Sequence, residues 1–153
     1  MVRLSDLAGE LRDHLLEAEC HGFDTQPWVT GPPLRQRRVA IVTTAGLHTR
    51  SDRPFVLDSA DYRVLPGDAQ AGDLVSTHVS PNFDRTGFAQ DWNIVFPLDR
   101  LRELERAGEI GSVADFHYSF MIASTPDLAE PAAHELALLL RKDRVDAVLL
   151  VPV

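Results

Sequence analysis

Leucines at positions 4, 7, 11, 15 and 16 recur at helical spacing, with Ser5 or Asp6 in front to cap the first turn, and they predict an amphipathic helix over residues 4–18. Residues 22–33 break that pattern with glycine and three prolines and predict an extended surface arm. The run Val39-Ala-Ile-Val-Thr-Thr-Ala-Gly46 is continuously apolar before its hydroxyls, as a buried parallel strand is. Tyr62-Arg-Val-Leu65 predicts a short strand and Leu74-Val-Ser-Thr-His-Val79 another. Pro97 opens and Gly108 closes a helix carrying Leu98, Leu101 and Leu104. Residues 113–121 alternate, with Ala114, Phe116, Tyr118 and Phe120 on one face and Asp115, His117 and Ser119 on the other. A helix starting at Thr125-Pro126 and running to about Lys142 turns Ala132, Leu136, Leu139 and Leu140 inward, and an apolar strand follows over 145–153.

Strands alternating with helices, and a terminal strand that is apolar rather than alternating, predict an α/β fold. The expected architecture is three-layer, with a largely parallel sheet of the flavodoxin or Rossmann kind and an N-terminal amphipathic helix. The expected organisation is one domain over 1–153: a helix over 1–20, a proline-rich extended arm over 21–37 and an α/β core over 38–153.

At 153 residues, with 44% hydrophobic and 25% charged side chains, the chain has the composition of a protein that folds on its own core. No apolar run approaches the roughly 20 residues of a membrane span, and no signal-peptide core opens the chain, which predicts an intracellular, cytoplasmic domain with no membrane partner. A formal charge of −8 disfavours a nucleic-acid partner, and the basic cluster Arg35, Arg37 and Arg38 reads as a solvated strand entrance. The single cysteine, Cys20, has no basic neighbour except His21 and reads as an inert thiol.

Open α/β sheets place their chemistry beyond the carboxyl ends of the strands. There Thr43, Thr44, Gly46 and His48 offer hydroxyls, a tight turn and an imidazole, suited to an anion or carboxylate pocket; a glycine turn ending in an exposed histidine is the equal alternative. His78 leads into Asn82, Asp84 and Arg85, where Arg85 can hold a substrate carboxylate or pair with Asp84, against a plain Asn82/Asp84 turn. His117 lies on the polar face of its strand. His48, His78 and His117 with Asp84 form an alternative metal set of His/carboxylate type, although no spacing in the sequence joins them.

Several separated motifs, in order, give the chain a relative. The segment 39–48, Asp52-Arg-Pro-Phe55, Tyr62-Arg-Val-Leu-Pro-Gly-Asp68, His78 with Asn82-Phe-Asp-Arg85, and Val95-Phe-Pro-Leu-Asp-Arg-Leu101 carry it. Gly108-Glu-Ile-Gly-Ser-Val113, His117-Tyr-Ser-Phe-Met121 and the strand 145–153 continue it. Over about 35–153 the chain resembles the glycine/sarcosine/betaine/D-proline reductase selenoprotein-B family. The resemblance implies reductive cleavage of a C–N bond of a small amino-acid-like substrate. It also implies a selenocysteine or cysteine nucleophile in a Sec/Cys-x-x-Cys motif directly after the strand matching 145–153, and a pyruvoyl group on a partner component.

No residue of this chain can take the nucleophile's place, so it is expected beyond Val153. A shortened chain, a natural short form without activity, and one product of cleavage with a complementary chain starting after Val153 all fit that boundary. The resemblance fits the reading of the residues, in which His48, His78, His117 and Asp84 are catalytic candidates and Thr43, Thr44, Gly46, Asn82 and Arg85 substrate-binding ones, with His48, His78, Asp84, Arg85 and His117 expected to line one pocket. A homo-oligomer, a metal-dependent enzyme and a non-catalytic partner subunit are the alternatives.

Overall fold

The computed structural model describes residues 3–17, 26, 28–57, 60–80, 83–121 and 126–153. They fall into two compact units, Met1–Thr30 and Gly31–Val153.

In the first unit a 3-10 turn at Leu4–Asp6 is followed by helix α1 (Gly9–Glu17). The expected continuous helix is interrupted at Leu7, whose backbone is extended (φ −84°, ψ 150°) while the Asp6 carboxylate accepts from the Arg3 amide. Leu4, Leu11, Leu15 and Leu16 are all exposed, so the leucine stripe does not bury an apolar face here. Cys20 lies outside the described residues.

The second unit is mixed α/β, built on a sheet of mostly parallel strands. Its centre is β1 (Arg38–Thr43), and a two-stranded antiparallel ribbon of β2 (Leu47–Thr49) and β4 (Leu74–Ser76) stands apart from it. One side of β1 is shared in parallel by the short β5 (Ser112–Val113) and by β6 (Phe116–Phe120); the other side carries β7 (Ala147–Val151), also parallel. β3 (Tyr62–Pro66) closes the sheet antiparallel to β6. Helices α2 (Arg85–Gln90), α3 (Leu98–Arg106) and α4 (Pro126–Lys142) complete the unit.

Two apolar clusters fix these elements. The larger gathers Val39, Ile41, Leu47, Leu65, Trp92, Phe96, Leu98 and Leu101, joining β1, β2 and β3 to α3 and the 3-10 turn before it. The smaller joins Tyr118, Phe120 and Val42 to Leu136, Leu139 and Leu140 of α4. Burial of side chains such as Phe96 and Ile41 contributes about 1.5–3 kcal/mol each.

The face of β6 expected to be polar is buried instead. His117 and Ser119 are fully enclosed, whereas Phe116, expected inside, is exposed. A central strand has no solvent face, so its polar groups must find partners within the protein. They do. The His117 Nδ1 accepts from the Ile41 amide at 2.9 Å, and the Ser119 Oγ accepts from the Leu47 amide at 2.7 Å.

Arg38, expected in solvent at the strand entrance, is a clamp. Its guanidinium donates to the Asp143 carbonyl, the Asp143 carboxylate and the Val113 carbonyl, and pairs with Asp115 at 3.0 Å. The same Asp143 carboxylate accepts from the Asp115 and Phe116 amides, where β5 gives way to β6.

Candidate functional site

The carboxyl ends of β1, β6 and β7 converge on the turn that joins β1 to β2. There the Thr44 amide donates to the Val151 carbonyl at 3.1 Å, and the Thr44 hydroxyl accepts from the Val153 amide at 2.9 Å. The Gly46 amide donates to the Phe120 carbonyl at 2.9 Å. Gly46 has φ +63°, the left-handed region that favours glycine, and a Cβ there would stand 3.0 Å from the His78 nitrogen and 3.3 Å from Met121. The Thr77 amide donates to the Gly46 carbonyl, and the Ser76 hydroxyl to the Ala45 carbonyl. The loop carrying His78 is therefore laid directly on the turn carrying Thr44 and Gly46.

His78 is only 8% exposed, its ring tilted on Phe83 at 4.7 Å between centroids. Its Nδ1 accepts from the Ser80 amide at 3.1 Å, so neutral His78 carries its proton on Nε2. Burial, and then the charge of Arg85, hold its pKa below the ordinary histidine value. Arg85 donates through Nη2 to the His78 carbonyl and lies over the Phe83 ring at 5.8 Å.

The other predicted residues have structural partners. Thr43 is fully buried, and its hydroxyl accepts from the Ala45 amide. With the Thr44, Ala45, Gly46 and Leu47 amides all donating within the protein, the turn presents no open amide cradle to an anion. Asp84 caps the short α2 by accepting from the Thr86 amide at 2.8 Å, a bond that lowers its pKa. Asn82 lies outside the described residues.

His48 is buried on β2, its Nδ1 2.7 Å from the Thr49 carbonyl. His117 faces Phe96 edge-on at 5.5 Å, and burial depresses its pKa to about 4. Among the described residues, the Nε2 atoms of His48 and His117 are enclosed without a hydrogen-bond partner. Thus contacts join Gly46, His78 and Arg85, with Thr44 in the same turn, while His48, His117 and Asp84 each bond to partners of their own. Among the described residues, no three His, Cys, Asp or Glu side chains are grouped to hold a metal ion.

A cleft of about 500 Å³ lies at the same end of the sheet, where Tyr62 pairs with Phe120. Arg53, Asp61 and Glu135 give it charge, Tyr62 a hydroxyl, and Leu128 and Pro131 an apolar wall. Sequence reading did not single out these residues. The Tyr62 hydroxyl bonds Glu135, and burial with that carboxylate raises its pKa. Tyr62 at a strand start carries no signal of its own, because α4 supplies the cleft's opposite wall, from Leu128 to Glu135, far along the chain.

The profile of the glycine/sarcosine/betaine reductase selenoprotein B family matches residues 24–153. D-proline reductase subunit gamma of Acetoanaerobium sticklandii is 34% identical over 141 residues, covering 88% of this chain and 57% of that protein. Betaine reductase complex component B subunit beta of Peptoclostridium acidaminophilum is 32% identical over 76% of this chain and 28% of its own length. Glycine reductase complex component B subunit gamma of Symbiobacterium thermophilum is 32% identical over 84% and 31%. The chain thus spans little more than half of the first of these relatives and about a third of the others. No solved structure matches it. A profile match over most of the chain, on the strands and loops that build the β1–β2 turn, makes this chain a member of the glycine/sarcosine/betaine reductase selenoprotein B family.

Proposed function

We propose that the chain is the α/β portion of a reductase-complex subunit that cleaves a C–N bond, or a similar one, in a small amino-acid-like substrate. The observation that carries this is the family match, whose named relatives are subunits of reductases for D-proline, betaine, glycine and sarcosine. In such a cleavage the amine leaves with the bonding pair and takes up a proton, and the carbon it leaves ends with a new C–H bond formed by two electrons and a second proton. The two electrons come from a dithiol or selenol–thiol pair, which ends as a disulfide or selenenylsulfide.

The only cysteine in residues 1–153 is Cys20, so the nucleophile is supplied from outside them. What these residues supply is the carboxyl-edge setting. Thr44 and Gly46 shape the turn, and the general acid for the leaving amine is assigned to His78 in its imidazolium form, which its lowered pKa makes a stronger though less populated acid, with the Nε2 proton the one donated. Arg85 fixes the backbone of His78 and adds positive charge beside an anionic nucleophile or carboxylate. A largely parallel three-layer sheet, completed by the polypeptide that brings the nucleophile, is the architecture this reading expects.

The test is reconstitution. The chain is combined with the remaining components of a D-proline or glycine reductase, with a dithiol as donor and amine release as the readout. Turnover that requires both this chain and a cysteine- or selenocysteine-bearing component is expected. A complex that turns over equally well without this chain would leave it a non-catalytic partner. That second reading is supported by the lone cysteine and by relatives that are subunits of larger complexes.

A further inference from the structure

Strand β7 has the sequence of an interior strand and the position of an edge strand. Ala147-Val-Leu-Leu-Val151 is apolar at every position, without the alternation, charge or bulge that protects natural sheet edges. Yet among the described residues it pairs only with β1. Leu150 is 69% exposed, and Val148 and Leu149 are exposed as well. On the face covered by α4, Val148 and Leu150 join Phe120, Ala133, Leu136 and Leu140 in a groove of about 340 Å³ that is almost wholly apolar. On the other face Leu149 pairs across to Ile41, which is at the centre of the main core. An unpaired edge that is apolar on both faces is an unfinished seam.

We propose that this seam receives an apolar strand, parallel to β7, with a flanking amphipathic helix that fills the α4 groove. Its source is the polypeptide corresponding to the part of D-proline reductase subunit gamma that has no counterpart in these residues. Three observations favour this occupant. The relative is 34% identical across most of this chain, but the match covers only 57% of that protein's length. β7 already lies parallel to β1, and parallel sheets extend through further strand–helix units that cover both faces. A second copy would instead bring β7 antiparallel across a two-fold axis, with two chains of charge −8 in contact. The proposal rests on the reductase reading only for the identity of the occupant.

The experiment mixes the 153-residue chain with the separately expressed unmatched part of the A. sticklandii subunit. Light scattering and amide hydrogen exchange are followed without substrate. A one-to-one complex is expected, with exchange over 147–151 and 129–140 slowed by about tenfold or more and exchange in β3, at the opposite edge, unchanged. Leu150→Arg, at a side chain exposed in the free chain, should weaken the complex by about tenfold or more while leaving the thermal midpoint and β3 exchange as in the parent. Val148→Asp is the second variant and should behave alike.

Protection of β7 that grows with the chain's own concentration would overturn the proposal in favour of a second copy. Binding that leaves β7 unprotected, or that Leu150→Arg does not weaken, would overturn it outright. Exchange is read without turnover, so a protected seam in a complex that shows no reductase activity would count against the reductase reading alone.

Discussion

Arg63 and Arg85 both donate to backbone carbonyls of loops, and their surroundings give them opposite expected consequences. Arg63 is 4% exposed. It donates to the Arg53, Pro54 and Tyr62 carbonyls and to the Asp61 carboxylate at 2.7 Å, and lies over the Phe55 ring at 4.3 Å. Replacing it by methionine strands those acceptors, and a loss of about 3–5 kcal/mol in urea unfolding is expected. Arg85 is exposed and holds one carbonyl, that of His78. Arg85→Met should change stability by less than about 1 kcal/mol, yet lower kcat in the reconstituted reductase by about tenfold or more, with Arg85→Lys recovering part of it. If Arg85→Met raised KM and left kcat intact, Arg85 would be a carboxylate binder, the role its sequence context first suggests, and not a positioning residue for His78. Sequence made Arg85 conspicuous through its polar neighbours. It could not show that Arg63, in an ordinary alternating strand, ties down the loop of residues 53–55.

At the scale of elements, what was legible depended on how local the determining signal was. Helix α3 sits between Pro97 and Gly108 as expected, and α4 ends at Lys142, because start and stop signals act within a few residues. Helix α2 is not among the elements the sequence predicts, since the Asp84 side chain can close a turn or cap a helix and six residues carry too little periodicity to decide. The break between β5 and β6 was invisible because its cause, Asp143, lies 28 residues away and acts through the Arg38 clamp. The two ends of that segment also meet backbone at very short range. A Cβ on Gly67 would stand 2.4 Å from the Ala114 carbonyl oxygen, and one on Gly111 2.6 Å from the Gln36 carbonyl carbon. Gly67→Ala and Gly111→Ala should therefore each cost about 2 kcal/mol or more, because backbone must shift. Gly72→Ala, with open space around its Cβ, should be neutral or stabilising. Equal melting temperatures for all three variants would refute the tight approach of the loop of residues 66–68 to this segment.

For the molecule as a whole, the family and the parallel α/β character were legible from widely spaced motifs. The surroundings of His117 were not, because a strand histidine's neighbours are set by register, and here they are the Ile41 amide and the Phe96 ring. Its burial has a global consequence. The folded pKa of His117 is depressed to about 4, chiefly by desolvation, while the unfolded chain binds that proton near 6.5. A histidine buried in its neutral form stabilises the fold fully above about pH 6.5. As pH falls the unfolded state gains a proton that the folded state refuses, and that contribution is lost by about pH 4. His78, also depressed, acts in the same direction. The carboxylates with lowered values, such as Asp99, start from 3.8 in the unfolded chain, so their losses come at lower pH. Stability measured by urea unfolding should therefore fall by roughly 2–3 kcal/mol from His117 alone between pH 7.5 and 4.5. His117→Asn keeps an acceptor for the Ile41 amide and removes the titration. It should be less stable than the parent at pH 7.5 and lose much less on acidification. A variant with the parent's full pH slope would show that His117 already exchanges protons with solvent in the folded state.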